Sequence, residues 1–269
     1  MFGKQDHKAV AIIPARLGST RFPRKALADD TGKPMVVHVC EQAAKASSVN
    51  RVVVATDAEE IKSAVESHGF EAVMTSVDHT NGTSRLAEAT GILNLKKSQI
   101  VINVQGDEPE IECDSINAAF CALSPLGKLG GKLVGTVVSP INSKEEFENP
   151  NIVKAIMTGK MKTFGASDEP VYYGRALYFS RSPVPYPRTE PTDRANRHVG
   201  IYAYSVQSIN AYHLWKPSSL ELTESLEQLR WLTRNYTIFA AYTNSYHTGI
   251  DTPEQYRAFV DRYQAAQSP

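Results

Sequence analysis

The chain has 269 residues, an apolar fraction of 42% and equal numbers of basic and acidic residues, 29 of each. That length suits one large α/β domain, or a main domain with a modest subdomain, and the apolar content can fill a sizeable core. A zero net charge argues against general nucleic-acid binding or adsorption to a membrane surface, since both rest on a basic excess.

Residues 1–8 are polar and lack the apolar stretch of a signal peptide, and no apolar run approaches the length of a membrane span, so a soluble cytoplasmic protein is expected. Residues 9–13 form a short continuous apolar run closed by Pro14, the pattern of a buried parallel strand. Apolar residues at helical spacing follow over 35–46, and a second strand is expected at 51–55. Asp57 with Glu60 has the capping-box pattern and predicts a helix to about His68. A third strand at 71–74, a helix from near Thr83 and a fourth strand at 100–104 complete a half in which strands and helices alternate. That alternation calls for a parallel sheet with helices on both faces.

The pattern loosens after Pro125. Residues 127–132 read as a glycine- and lysine-rich loop, and 133–138, 152–157, 176–179 and 199–204 as strands with few long helices between them. This half is expected to mix antiparallel strands into the sheet and to carry a smaller flap. Four prolines in 182–191 require an extended loop. Ser218 with Glu221 forms a second capping box, predicting a helix to about Arg234; a last strand follows at 237–242, and Pro253 opens the terminal helix. Cys40, Cys113 and Cys121 are too few and too irregularly spaced for a disulfide framework or a zinc site, and read as buried thiols. Trp215 and Trp231 read as helix-face packing residues.

Open parallel sheets bind ligands beyond the carboxyl ends of their strands, which directs attention to the loops after residues 13, 55 and 104 and to the segment around Asp251. The first of these carries Arg16, Arg21, Arg24 and Lys25, with Gly18, Ser19 and Thr20 between them. Cations on a turn with backbone N–H donors can wrap a triphosphate, although a solvated loop would look the same; the pattern is neither a Walker A loop nor a GxGxxG fingerprint. Gln105-Gly-Asp-Glu-Pro109 places Asp107 at the end of a strand facing that loop, with Glu108 a weaker candidate. One or two carboxylates suffice for Mg2+, and an ordinary turn is the competing reading. Asp251 could cap the terminal helix with Glu254. Thr252 with Gln255 offers another box that leaves Asp251 free and puts Pro253 first in the helix. Asn81-Gly82 is a turn signal ahead of Thr83 and Arg85. His198, Gly200 and Tyr202 alternate onto one face of a strand, where core packing is the bland alternative.

The string Ile-Pro-Ala-Arg-x-Gly-Ser-Thr-Arg-Phe-Pro-x-Lys, followed by Gly32-Lys-Pro-Met35, resembles the opening of the 3-deoxy-manno-octulosonate (Kdo) cytidylyltransferases. Gln-Gly-Asp-Glu-Pro, Gly-Ile-Asp-Thr-Pro-Glu, Arg-His-x-Gly-Ile-Tyr, Leu-Glu-Gln-Leu-Arg and Tyr-Phe-Ser-Arg-Ser-Pro continue the likeness in collinear order from about Val10 to Val260. The resemblance implies a nucleotide-diphospho-sugar transferase-like fold: a Rossmann-like α/β architecture with a mixed, mostly parallel sheet. It implies a single nucleotidyltransferase domain over 1–269, with 130–235 holding the sugar-binding and dimerisation part, and a homodimer. The implied reaction moves CMP from CTP to a Kdo-type sugar acid, for lipopolysaccharide biosynthesis, with Mg2+ held by Asp107 and Asp251. Arg16 and Lys25 would act on the phosphates as catalytic residues. Ser19, Asn81, Gly82, Thr83 and Arg85 would join them on the nucleotide. Arg21, Gln105, Arg181, His198, Tyr202, Glu227 and Gln228 would bind the sugar. A related ulosonic acid as acceptor, or a non-catalytic binding homologue, stays open. Three positions depart from the family pattern. Arg24 stands for a glycine and is expected to lose positive φ and add a cation near the triphosphate, Ala26 stands for a proline, and Ser84 stands for an acid.

Overall fold

The apolar run at the start of the chain becomes an interior strand, third from one edge, of a nine-stranded sheet. The structure, a computed structural model, describes residues 8–79, 81–125, 131–164, 170–188, 195–245 and 249–267, with the side chain of Phe164 left aside. In chain order the elements are β1 (Ala9–Ala15), α1 (Met35–Lys45), β2 (Val49–Thr56), α2 (Glu59–Ser67), β3 (Glu71–Met74), α3 (Gly82–Ile92), β4 (Ile100–Asn103) and α4 (Cys113–Cys121). The second half holds β5 (Leu133–Pro140), α5 (Lys144–Glu148), β6 (Lys154–Phe164), β7 (Pro170–Ser180), β8 (Asn196–Ser205), α6 (Val206–His213), α7 (Ser219–Glu224), α8 (Gln228–Thr233), β9 (Thr237–Tyr242) and α9 (Pro253–Gln267).

The strands run in the order β3-β2-β1-β4-β8-β5-β9-β7-β6. The first four are mutually parallel, and β8 joins β4 antiparallel. Beyond β8 the sheet is mixed, and it curls until β6 pairs back onto the start of β8, closing a ring through β5, β9 and β7. Period-two alternation in β1 explains the layers. Ala9, Ala11 and Ile13 pack with Val36, Val39 and Cys40 of α1 on one face, while Val10 and Ile12 pack with Leu86 and Ala89 of α3 on the other. Helices therefore cover both faces, as the alternation of elements predicts.

β2 and β3 lie on one side of β1 and β4 lies on the other, so the strand order reverses between β1 and β4. This is the topological switch point where open sheets bind ligands.

Four expectations are corrected. Asp57 does not cap α2: the cap position is Ala58, with no side-chain bond, and Asp57 is drawn instead into an ion pair with Arg85. The helix from Ser218 does not run to Arg234. Its capping box is present, but Ser225 adopts a left-handed φ of 52° and splits it into α7 and α8. The strands expected at 152–157 and 176–179 are parts of two 11-residue strands, whose alternation is scrambled by register shifts at Ile156/Met157 and Thr158/Met161. Arg24 does reach positive φ (60°), despite its side chain, and its guanidinium leaves the cleft to pair with Glu60 on α2.

The cysteines are free; Cys40 is buried, while Cys113 and Cys121, at the two ends of α4, are half-buried. Trp215 and Trp231 do pack, in an aromatic cluster with Tyr204, Tyr212 and Tyr236. The 127–132 loop and the four-proline segment lie partly outside the described residues. Among the described residues no helix is long and apolar enough to cross a membrane.

Candidate active site

A cleft of about 720 Å³ opens at the carboxyl edge of β1 and β4, and every residue singled out in the sequence as catalytic, nucleotide-binding, sugar-binding or metal-binding lines it. The β1 loop supplies Arg16, Ser19, Arg21 and Lys25. The Arg16 side chain is exposed, and Ser19 Oγ accepts from the Phe22 backbone N–H at 3.4 Å, tightening the turn.

The β4 loop reaches the same cleft through a close approach. A side chain on Gly106 would place its Cβ 2.6 Å from the Pro14 carbonyl oxygen, so only glycine lets the two loops lie together. The next residue is Asp107. Its Oδ2 is 2.8 Å from Lys25 Nζ, which also lies 3.0 Å from Asp251 Oδ1 and 3.0 Å from the Ile250 carbonyl. Arg21 takes the other oxygen of Asp251 at 2.8 Å. Asp251 is free to do this because Thr252 and Gln255 cap α9. Gln255 N–H donates to Thr252 Oγ1 at 3.3 Å, and Thr252 N–H to Gln255 Oε1 at 3.1 Å.

Two carboxylates and a carbonyl thus converge on one cation. The donor set is all oxygen, which fits Mg2+, an ion that takes few protein ligands and completes its shell with water or phosphate. Among the described residues there is no group of three or more His, Cys, Asp or Glu side chains able to hold a metal.

At the next side of the cleft, Asn81 caps α3: its Oδ1 accepts from Ser84 N–H at 2.8 Å, so the Asn-Gly pair serves a helix start rather than a hairpin turn. Gly82 packs against Pro14, and Thr83 Oγ1 donates to Glu227 Oε2 at 3.0 Å. Arg85 borders the cleft, but its guanidinium is buried and spent on Asp57 at 2.7 Å and Thr75 at 2.6 Å. Ser84, in place of the family's acid, bonds His79 Nδ1 at 3.1 Å, and His79 Nε2 meets Glu88 at 2.5 Å.

The far wall comes from β8 and the α7–α8 turn. Burial holds the His198 imidazole neutral, with its pKa pushed down to about 3, and Nε2 lies 3.0 Å from Thr136 Oγ1. The Tyr202 ring is 5.4 Å away, and burial carries its hydroxyl well above the usual range. Gln105, which lines the cleft, donates from Nε2 to the Gly200 carbonyl at 3.0 Å. Burial also raises the Glu227 carboxyl, while the Thr83 hydrogen bond opposes that rise. Gln228 beside it is buried. The turn that carries both is braced from below by Arg230, which bonds Glu221 at 2.7 Å and stacks over Tyr212 at 4.2 Å. Arg181 braces it as well. Three of its five N–H groups go to the carbonyls of Glu224 (2.7 Å), Pro150 (3.0 Å) and Ser225 (3.3 Å).

Asn103 is among the lining residues that the sequence reading did not single out. Buried at the end of β4, it lies on the floor of the cleft. A polar residue closing an otherwise apolar buried strand, two before Gln105 and so on the same face, was the available signal.

Residues 10–238 match the Cytidylyltransferase family. The 3-deoxy-manno-octulosonate cytidylyltransferase of Polynucleobacter necessarius is 42% identical over 93% of this chain and 94% of its own length. That of Neisseria gonorrhoeae is 43% identical over 95% and 96% respectively. A solved structure of CMP:2-keto-3-deoxy-manno-octonic acid synthetase complexed with CTP superposes with a TM-score of 0.82 at 36% identity, covering 97% of this chain and all of that one.

Proposed function

Because the chain belongs to the 3-deoxy-manno-octulosonate cytidylyltransferase family, we propose that it transfers CMP from CTP to the anomeric hydroxyl of Kdo, giving CMP-Kdo and pyrophosphate. The observation that carries this reading is the convergence of Asp107, Asp251 and the basic β1 loop in one cleft with the polar wall of β8. In the reaction the anomeric oxygen bonds to the α-phosphorus as the bond to the bridging oxygen breaks. Pyrophosphate leaves with the electron pair and the hydroxyl proton passes to solvent.

The protein's part is positioning and charge neutralisation. Arg16, Ser19 and Lys25 hold the triphosphate and offset the charge growing on the leaving group. Asn81, Gly82 and Thr83 border the nucleoside; Arg85 acts at one remove, fixing α3 against β2. Asp107 and Asp251 would hold Mg2+, which when bound would supply charge neutralisation at the phosphates. Arg21 and the two N–H groups of Arg181 that take no partner among the described residues suit the sugar carboxylate. Neutral His198, Tyr202, Gln105, Glu227 and Gln228 suit its hydroxyls.

Residues 1–269 act as one nucleotidyltransferase domain with the acceptor side in 130–235, a reading supported by the single sheet that runs through both halves. The protein works in the cytoplasm. A homodimer through the second half is supported by apolar surface left by Met161, Tyr172 and Leu177 on the β6–β7 hairpin. Light scattering tests it.

The decisive assay is pyrophosphate release from CTP or UTP with a panel of ulosonic acids, with Mg2+ or chelator. Asp107→Ala should abolish release with Kdo and leave thermal unfolding unchanged; a near-normal rate refutes the assignment. Preference for another acid would move the specificity. CTP binding without release from any acid would make the protein a non-catalytic homologue.

A further inference from the structure

The carboxylates of Asp107 and Asp251 already hold a cation, and it belongs to the protein. Lys25 Nζ lies at 2.8 Å from Asp107, 3.0 Å from Asp251 and 3.0 Å from the Ile250 carbonyl, so all three of its N–H donors are used. Its side chain is 17% exposed, far from the condition of a waving surface lysine. We infer that Lys25 is an internal counter-ion that occupies the divalent-cation position in the nucleotide-free protein and admits the metal only together with nucleotide. This rests on the metal reading given above.

The physical grounds are steric and electrostatic. Mg2+ bonds oxygen at about 2.0–2.1 Å, whereas the ammonium keeps the same oxygens near 3 Å, so the two cations cannot share the point at which these ligands converge. A divalent ion arriving alone must displace that positive charge from both carboxylates at once. A triphosphate changes that balance. It offers Lys25 phosphate oxygens on the same loop as Arg16, and it offers the ion further oxygen ligands, while the four-carbon stem of lysine allows the swing. The apparent metal affinity of the free protein is then lowered by the fraction of time Lys25 leaves the site. By linkage, metal and nucleotide strengthen each other's binding by the same factor.

The experiment titrates Mn2+ into the nucleotide-free full chain, reading free Mn2+ by its electron paramagnetic resonance signal. Wild type and Lys25→Arg should bind weakly, whereas Lys25→Met should bind at least about tenfold more tightly. Lys25→Gln serves as a second neutral variant should the methionine not fold, with far-UV circular dichroism as the check. In the Lys25→Met background, Asp107→Asn with Asp251→Asn should remove the gain. If neither neutral variant binds Mn2+ more tightly than wild type, the counter-ion role is overturned and the metal reading stands untouched. A gain that survives loss of both aspartates overturns the metal reading itself.

Discussion

Gly106→Ala tests the contact that brings the two loops of the cleft together. The added Cβ would sit 2.6 Å from the Pro14 carbonyl oxygen, a fixed backbone atom, so the strain cannot be relieved by rotating a side chain. Restoring an ordinary contact requires the β4 loop to retreat by about 0.4–0.8 Å. Overpacking of this kind costs about 1–3 kcal/mol, which for a chain of this size lowers the melting temperature by about 2–10 °C. The retreat carries Asp107 with it, away from Lys25 and Asp251. A displacement of order 1 Å at a positioned group costs about 10²-fold in rate, so turnover should fall far more than the loss of folded protein explains. Thermal denaturation and pyrophosphate release at a temperature well below melting separate the two effects. Gly200→Ala is the control: it also faces the cleft, but its Cβ would meet nothing nearer than Gln105 Cγ at 3.8 Å, and its stability should match wild type. A Gly106→Ala protein with wild-type melting and turnover would refute the reasoning.

The stability of the protein should fall in mild acid, because burial, helped by the charge on Lys33, pushes the His38 pKa down to about 4. Below pH ~6.5 the unfolded chain binds a proton that the folded chain refuses, so the loss grows until pH reaches about 4, and His198 adds to it with the same sign. At pH 5 the His38 contribution is up to about 2 kcal/mol, and urea denaturation at pH 7 and 5 should show a smaller difference in His38→Asn. Arg24→Gly relieves a left-handed non-glycine residue and gives up an exposed ion pair that solvent screens strongly. The two nearly cancel, so melting should stay within about 3 °C and turnover should persist; a tenfold loss would place Arg24 back among the phosphate ligands. Thr83→Val removes the donor that holds the Glu227 carboxyl down, so its pKa rises further and the acid limb of the pH–rate profile should move to higher pH. An unmoved limb would disconnect Glu227 from the reaction.

What could be read from the sequence was what the chain encodes locally. β1 is a continuous apolar run, α9 begins at a capping box, and the β1 and β4 loops are contiguous motifs, so their existence and their place at the sheet edge followed from pattern and topology. Side chains that choose among distant partners were not legible. Asp57 has a capping pattern at hand, yet the buried Arg85 guanidinium, 28 residues on, outcompetes a solvent-exposed backbone N–H for its carboxylate. Arg24 could have joined the phosphate loop; Glu60 on α2 takes it away. The long β6 and β7 strands were hidden because two register shifts break the period on which a strand is recognised.

The site also shows why its acceptor half resists a purely local reading. It forms at the seam where the parallel half meets the curled half, through the β4–β8 pairing that sets Asn103 opposite Tyr202. Three bonds cross between segments far apart in the chain: Thr83 to Glu227 over 144 residues, Gln105 to Gly200 over 95, and Lys25 to Asp251 over 226. Each ties a group proposed for the nucleotide or metal to one on the opposite wall, or orients a group proposed for the sugar. Neither half therefore contains a finished site. The parallel half alone would lack Asp251 and the polar wall, and the second half would lack the loop that can hold phosphate. Because Thr83 binds Glu227 directly, a shift at the start of α3 is passed through one hydroxyl to the carboxylate on the opposite wall.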